Sequence, residues 1–345
     1  MKRKVLLILT LIFLLLSVFT ISAFAQSKAG TSAAPELVIP LGAPEVAMSG
    51  AVVSFVSGSR AISWNPAGLD VSDVTASALF SHRSYIGDVS INYAAVATKL
   101  SSFGSLGLTL RSFNIGQISV TTEAQPDGTG AIINPTFFTL GLTYSKLLTD
   151  HVSIGVTANI VNESFANVSA SGVAFDAGIQ YRNLGGISGL SLGVCVNNIG
   201  TSMQYGGSDL WIPANATDLA RGSSYYKVEA ASAQMPSIIQ IGFGYEMSLA
   251  ESTGLKFGIA YENNNYGIDE YRMGAEIGLV KSLFIRGGYM YSTDPAGTKS
   301  LFQNYTLGIG VDLKEYVNVP ISIDYAYVPV QYFSANSILD ININF

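Results

Sequence analysis

Charge is scarce in this sequence. Only 12% of its 345 residues are Asp, Glu, Lys or Arg, where an ordinary soluble domain carries about 25%. There is one cysteine and there are two histidines. A lone Cys195 cannot build a disulfide scaffold. His82 and His151 fall at opposite ends of their segments, so they share no pocket. A His-Glu-x-x-His pattern, a Gly-x-Ser-x-Gly elbow and paired metal-binding cysteines are all missing. No enzyme activity, metal or cofactor is expected. A net charge of −6 argues against nucleic acid as a partner. Beyond the N-terminus there is no long uninterrupted apolar run, which excludes a helical inner-membrane protein.

Apolar residues are plentiful at 48%, with 35 Gly, 18 Tyr and 17 Phe. The chain opens on Lys2, Arg3 and Lys4, runs apolar from Val5 to Val18 and reaches Ala23-Phe24-Ala25 before Gln26. That is the pattern of a secretory signal peptide over 1–25. The rest divides into an N-terminal segment over 26–72, expected to fold as a plug, and a transmembrane β-barrel over 73–345.

The barrel rests on strict alternation. Phe138, Leu140, Leu142 and Tyr144 alternate with Thr139, Gly141 and Thr143, and Leu307, Ile309 and Val311 with Gly308 and Gly310. Successive side chains of a strand point to opposite faces, so each such segment has one apolar face. The other face is small and uncharged, with scattered charges that keep to its parity. The segments run to about 10–12 residues, the length that crosses a bilayer tilted; soluble strands average about 5–6. Fourteen segments are read, at 74–83, 88–99, 104–122, 136–147, 151–163, 171–183, 189–200, 236–247, 254–264, 269–280, 283–293, 303–314, 319–327 and 336–345. An even number suits a bacterial barrel. The fold class is therefore all-β, a 14-stranded antiparallel transmembrane barrel with an N-terminal plug, in contact with outer-membrane lipid.

Tyr261, Tyr271, Tyr289, Tyr291, Tyr305, Tyr325 and Tyr327 fall near predicted outer ends on the lipid parity, as an aromatic girdle requires. Among the lumen charges, Arg272, Glu276 and Arg286 occupy adjacent strands and are expected to form an internal ion network. In segment 104–122 the parity slips around Asn114, Ile115 and Gly116, which suggests a β-bulge and a lateral opening of the wall. The loop 201–235 carries Tyr205, Trp211, Tyr225 and Tyr226, and is expected either to bind a partner or to fold inward as a lid. The chain ends on Phe345. A terminal aromatic after alternating apolar residues resembles the sorting signal of bacterial outer-membrane barrels, so Phe345 is expected to address the barrel assembly machinery.

The segment Gly42 to Leu69 has a Met48-Ser49-Gly50-Ala51 step and the run Trp64, Asn65, Pro66, Ala67, Gly68 and Leu69. It resembles the N-terminal hatch of the FadL superfamily, and more closely the PorV/PorQ family within it. The likeness implies a plugged fourteen-stranded barrel in the outer membrane of a Gram-negative-type bacterium. It also implies a non-enzymatic role in type IX protein secretion or surface attachment, with secreted cargo proteins or other secretion-system components as partners. The alternative is a FadL-like channel for a hydrophobic ligand such as a long-chain fatty acid. One departure stands out: acids often precede the motif in that family, whereas this chain has Ser57, Gly58, Ser59 and Arg60.

Overall fold

A chain whose alternate residues are apolar can bury them inward or turn them to lipid; here they turn outward. Leu108, Leu142, Val156, Ile179, Ile259, Leu307 and Ile309 are all exposed on the outer wall. The inward parity is Ser, Thr, Gly, Asn and charge, including buried Thr143, Thr157, Gln180 and Asp340. A computed structural model describes residues 30–214, 223–250, 252–265, 267–280, 282–292, 302, 304–314 and 320–345; the signal peptide expected at 1–25 lies outside them.

The wall consists of β1 (Ala76–Ser84), β2 (Ser90–Lys99), β3 (Ser105–Asn114), β4 (Thr136–Leu147), β5 (Val152–Phe165), β6 (Val168–Arg182) and β7 (Leu190–Gly200). It continues through β8 (Ile238–Ala250), β9 (Thr253–Asn264), β10 (Glu270–Leu279), β11 (Leu283–Ser292), β12 (Tyr305–Asp312), β13 (Ile321–Val328) and β14 (Asn336–Asn344). Each strand pairs antiparallel with its chain neighbours. β1 pairs with β14 from Ser77↔Asn344 to Ser84↔Ser337, which closes the ring. Closure leaves no unpaired wall edge, as lipid demands. The closed fourteen-strand barrel is an outer-membrane architecture, and the protein is an outer-membrane protein.

The third strand corrects the expectation. It ends at Asn114 rather than running to 122, and it pairs without a register shift to β2 and to β4 along its whole length. The Asn114 carboxamide oxygen accepts the Gly116 N–H at 3.1 Å, and Gly116 has φ +87°. This local turn ends the strand. The parity slip read as a bulge is a strand terminus, and the wall has no gap at Asn114, Ile115 and Gly116. Ile118–Ser119 instead pairs with Ile132–Ile133 as a separate ribbon. The wall's register shifts lie elsewhere: one between β8 and β9 at Ser248/Ala250, and one between β6 and β7, where Asn197 and Asn198 oppose Asp176. Asn198 has φ +60°, and its N–H donates to Asp176 Oδ1 at 2.7 Å.

The tyrosines expected at the outer rim gather at one end of β9–β13, and they pack across strands. The Tyr261 and Tyr271 ring centroids are 5.2 Å apart, and those of Tyr271 and Tyr291 are 6.4 Å apart. Phe345 is exposed, while its backbone N–H continues the β1 pairing by donating to the Ala76 carbonyl at 2.7 Å.

Candidate functional site

Residues 34–71 lie inside the ring of strands. They form short 3₁₀ turns, at Pro35–Val38, Gly58–Ser63 and Pro66–Val71, and one helical turn, α1 (Ala43–Ala47). Pro44 stands near the start of α1, where its missing N–H costs nothing. Leu41, Val46, Val52, Val53, Ile62 and Leu69 are buried, each contributing about 1.5–3 kcal/mol of hydrophobic stabilisation.

The inward glycines explain how the segment fits. On every strand from β5 to β12, a Cβ added to an inward glycine would collide with the segment. At Gly258 it would stand 1.9 Å from the Ala51 carbonyl oxygen, and at Gly155 2.2 Å from the Pro66 carbonyl carbon. Several of these glycines face one another across strands, as in Gly155↔Gly178, Gly244↔Gly258 and Gly274↔Gly288. The segment's main chain thus rests directly on the wall's main chain. What reads in sequence as a small, polar lumen face is a seat.

The Trp64–Leu69 motif is the pivot of that seat. Trp64 Nε1 donates to the Leu41 carbonyl at 2.9 Å. Asn65 is fully buried; its Nδ2 donates to the carbonyls of Val53 at 2.8 Å and Ile179 at 3.2 Å, and its Oδ1 accepts the Ala67 N–H. That last bond caps the 3₁₀ turn opened by Pro66. The Ala67 carbonyl accepts Ser145 Oγ–H at 3.0 Å from β4. Gly68 passes so close to the Val56 carbonyl that a Cβ would sit 2.0 Å from it. Leu69 packs with Ile62, Leu79 and Tyr93.

The charges fall into two groups rather than the single expected network. Arg272 pairs with Glu262 at 3.0 Å and Glu270 at 2.7 Å, on the outer side of the segment. Glu276 and Arg286 pair with each other at 2.5 Å on the inner side. The inner chain continues from Arg286 to Asp324 at 2.7 Å and from Asp324 to Arg60 at 2.6 Å. Arg60 also meets Asp340 at 3.1 Å and Glu45 at 3.8 Å. In sequence, Arg60 read only as a departure from an acidic pattern. Here it is the cation that ties the segment to acids on β13 and β14. Asp340 was legible as an inward charge between Leu339 and Ile341, but its partner lies 280 residues away. Burial first, and the neighbouring Asp340 and Asp324, push the Glu45 carboxyl up to about 7 despite the pull of Arg60.

The described residues of the 201–235 loop fall into two parts. Its root folds inward: Met203 and Met235 are buried with Ala34, Leu37 and Val161, and the Tyr205 hydroxyl donates to Glu163 Oε2 at 2.6 Å. Its outer part forms a two-stranded ribbon, Trp211–Ala214 against Ser224–Lys227, with Trp211, Tyr225 and Tyr226 exposed.

Two spaces remain beside the segment on its outer side. The larger, about 280 Å³, is lined by Val38, Ile39, Val46, Tyr85, Met290, Phe302 and Val328, with Arg83, Glu270 and Arg272 at its margins. The smaller, about 80 Å³, is more polar and lined by Thr139, Thr157, Asn159, Asp176, Asn198 and Gln240 among others.

No protein-family model matches the chain, and no curated protein matches it in sequence. Solved structures do match. The CymD monoaromatic hydrocarbon channel shares 12% identity over 88% of this chain and 96% of its own, with a TM-score of 0.54. The Pseudomonas putida toluene transporter TodX shares 14% identity over 88% of this chain and 96% of its own, with a TM-score of 0.53. A Pseudomonas aeruginosa FadL homologue aligns at 12% identity over 89% of this chain and 98% of its own, with a TM-score of 0.48. At such identities the likeness is one of fold: the chain shares the barrel architecture of CymD and TodX.

Proposed function

We propose that this protein is a non-enzymatic outer-membrane channel that takes hydrophobic small molecules into its outer cavity and passes them beside the N-terminal segment. The observation that carries the reading is the apolar space of about 280 Å³ between that segment and the outer half of the wall. A dry apolar cavity of about 150 Å³ already accepts benzene, so this one has room for a single-ring hydrocarbon or part of an alkyl chain. The fold shared with proteins described as a monoaromatic hydrocarbon channel and a toluene transporter supports it. The resemblance of Gly42–Leu69 to PorV/PorQ proteins supports a second reading, capture of secreted cargo in type IX secretion. The exposed ribbon of Trp211, Tyr225 and Tyr226 would be its contact surface.

Native mass spectrometry of the barrel, gently extracted from its own outer membrane and then titrated with toluene, separates the two. A bound hydrophobic small molecule whose retention falls in Val46→Trp, which fills the cavity, supports the channel. Co-purifying secreted proteins that share a C-terminal domain, with no small molecule bound, would favour the secretion reading and overturn the channel.

A further inference from the structure

The two outer spaces share a wall. Val38, Ile39 and Pro40 line the larger one and also the smaller one, so this short stretch is a partition between them. Backbone contacts pin it. Arg111 Nη1 donates to the carbonyls of Glu36 and Leu37, both at 3.2 Å, and Arg83 Nη1 donates to that of Pro40 at 2.5 Å. The Ala33 N–H donates to the Gln234 carbonyl at 2.9 Å, which ties the stretch to the root of the 201–235 loop.

A less ordinary contact sits beside these. The Glu36 side chain is 4% exposed, and neither carboxyl oxygen accepts an N–H or O–H bond from the described residues. What faces it is the carboxyl of Glu163, on the outer end of β5 and 3% exposed. Glu163 in turn accepts the Tyr205 hydroxyl. Two carboxylates sealed together from water cannot both carry charge. A proton placed between them would resolve the arrangement, with Glu36 as donor to a Glu163 that already accepts the Tyr205 hydroxyl.

We propose that Glu36 and Glu163 form a proton-sharing latch that holds the partition closed, and that loss of the shared proton releases residues 33–41 and joins the two outer spaces. The charged and titratable groups facing the pair are Arg111 from β3 and Tyr205 from the β7–β8 connection. Burial, followed by the nearby Glu163, pushes the Glu36 carboxyl up to about 8, against the opposing pull of Arg111. A carboxyl raised in the folded state favours folding most below its unfolded pKa, and that contribution is lost as pH rises through the folded value. The latch is therefore tightest below the ordinary carboxyl range, loosens as pH rises from there, and is fully released above about 8. Its role in admitting a ligand rests on the channel reading; its opening does not.

Hydrogen exchange on the intact barrel between pH 6 and pH 10, corrected for intrinsic exchange, reads the release directly. Corrected protection of residues 33–41 is expected to fall by up to about tenfold per pH unit as pH rises toward 8, and to level off above it, where Glu36 is ionised in the closed state as well. Glu36→Gln, which cannot ionise, keeps its protection throughout. The wild-type barrel should also show the infrared C=O stretch of a buried protonated acid at pH 7, disappearing as pH passes about 8, where the fall in protection levels off. That spectrum needs no variant, so the test survives if Glu36→Gln fails to fold. Unchanged wild-type protection up to pH 10, absence of the protonated-acid stretch at pH 7, or a Glu36→Gln barrel that opens like wild type would each overturn the latch. A barrel that binds no toluene at any pH yet shows the shared proton and the release overturns the channel and supports the latch.

Discussion

Replacing Arg60 with alanine is expected to loosen the N-terminal segment without opening the barrel wall. The Arg60 guanidinium lies 2.6 Å from Asp324, 3.1 Å from Asp340 and 3.8 Å from Glu45, and these three acid side chains are 3%, 0% and 6% exposed. Asp324 keeps Arg286 at 2.7 Å. Glu45 and Asp340 have no other ion-pair partner among the described residues. Removing one partner of a buried pair costs about 3–5 kcal/mol, because a charge is left behind in a poorly hydrated place. Proton uptake relieves part of that cost. Arg60 is what draws the Glu45 carboxyl down to about 7, so in Arg60→Ala the acid is neutral at physiological pH. Because the Glu45 value is raised in the folded state, its contribution is intact below its ordinary range and fades as pH rises through 7. The deficit of Arg60→Ala should accordingly be larger at pH 8 than at pH 5. The chain has two tryptophans, so a Trp211→Phe background leaves Trp64, inside the segment, as the sole indole reporter. Its fluorescence during urea titration follows release of the segment. Asp340→Asn should recover part of the loss in Arg60→Ala, and the double-mutant cycle measures the coupling. An Arg60→Ala release midpoint equal to wild type at pH 8 would refute the reasoning.

Three further substitutions test the other features. Gly258→Val drives a side chain into the Ala51 carbonyl and should cost about 1–3 kcal/mol of segment retention by overpacking; Gly254→Val, where a Cβ meets nothing within 4 Å, is the matched control, and equal Trp64 release curves would contradict the seat. Ile309→Arg places a charge on the lipid side of β12 and should cost about 2–4 kcal/mol if it lies near the midplane, measured as the urea midpoint of barrel unfolding in lipid vesicles. Trp64→Phe loses the bond to the Leu41 carbonyl and should loosen the segment by about 1–3 kcal/mol, since a buried carbonyl is left unpaired; protease sensitivity of residues 30–72 reads it.

Lipid made the wall legible. It demands an apolar residue at every second position and leaves little room for exceptions, so each of the fourteen strands lies within a few residues of its expected span, β3 excepted. There, Ile118 and Ile133 continue an apolar pattern after the wall has ended, because a ribbon outside the bilayer also favours β-branched residues. The Trp64–Leu69 run was readable as a unit, but its bonds to Val53, Ile179 and Ser145 were not, since periodicity carries no information about what crosses the lumen. Arg272 joined Glu276 and Arg286 in the sequence reading because all three share a parity; their separation depends on height along the strands, which parity does not encode. Glu36 and Glu163 escaped notice for a similar reason, as each has ordinary neighbours in sequence and acquires its character only from the other.

The bonds between the N-terminal segment and the last two strands bear on the order of assembly. Ala43 N–H donates to Asp340 at 2.6 Å, Ser59 to Asn342 at 3.2 Å and Arg60 to Asp340 and Asp324. These contacts span between 264 and 297 residues, and they sit beside the β1–β14 seam. A ring closed around an empty lumen would bury Asp340 with neither its cation nor the Ala43 amide. The N-terminal segment therefore serves as a template for the last two strands, and seam closure and lumen filling form one cooperative step. The slow stage of folding should lie in bringing the two ends of the chain together, after the hairpins between them have formed.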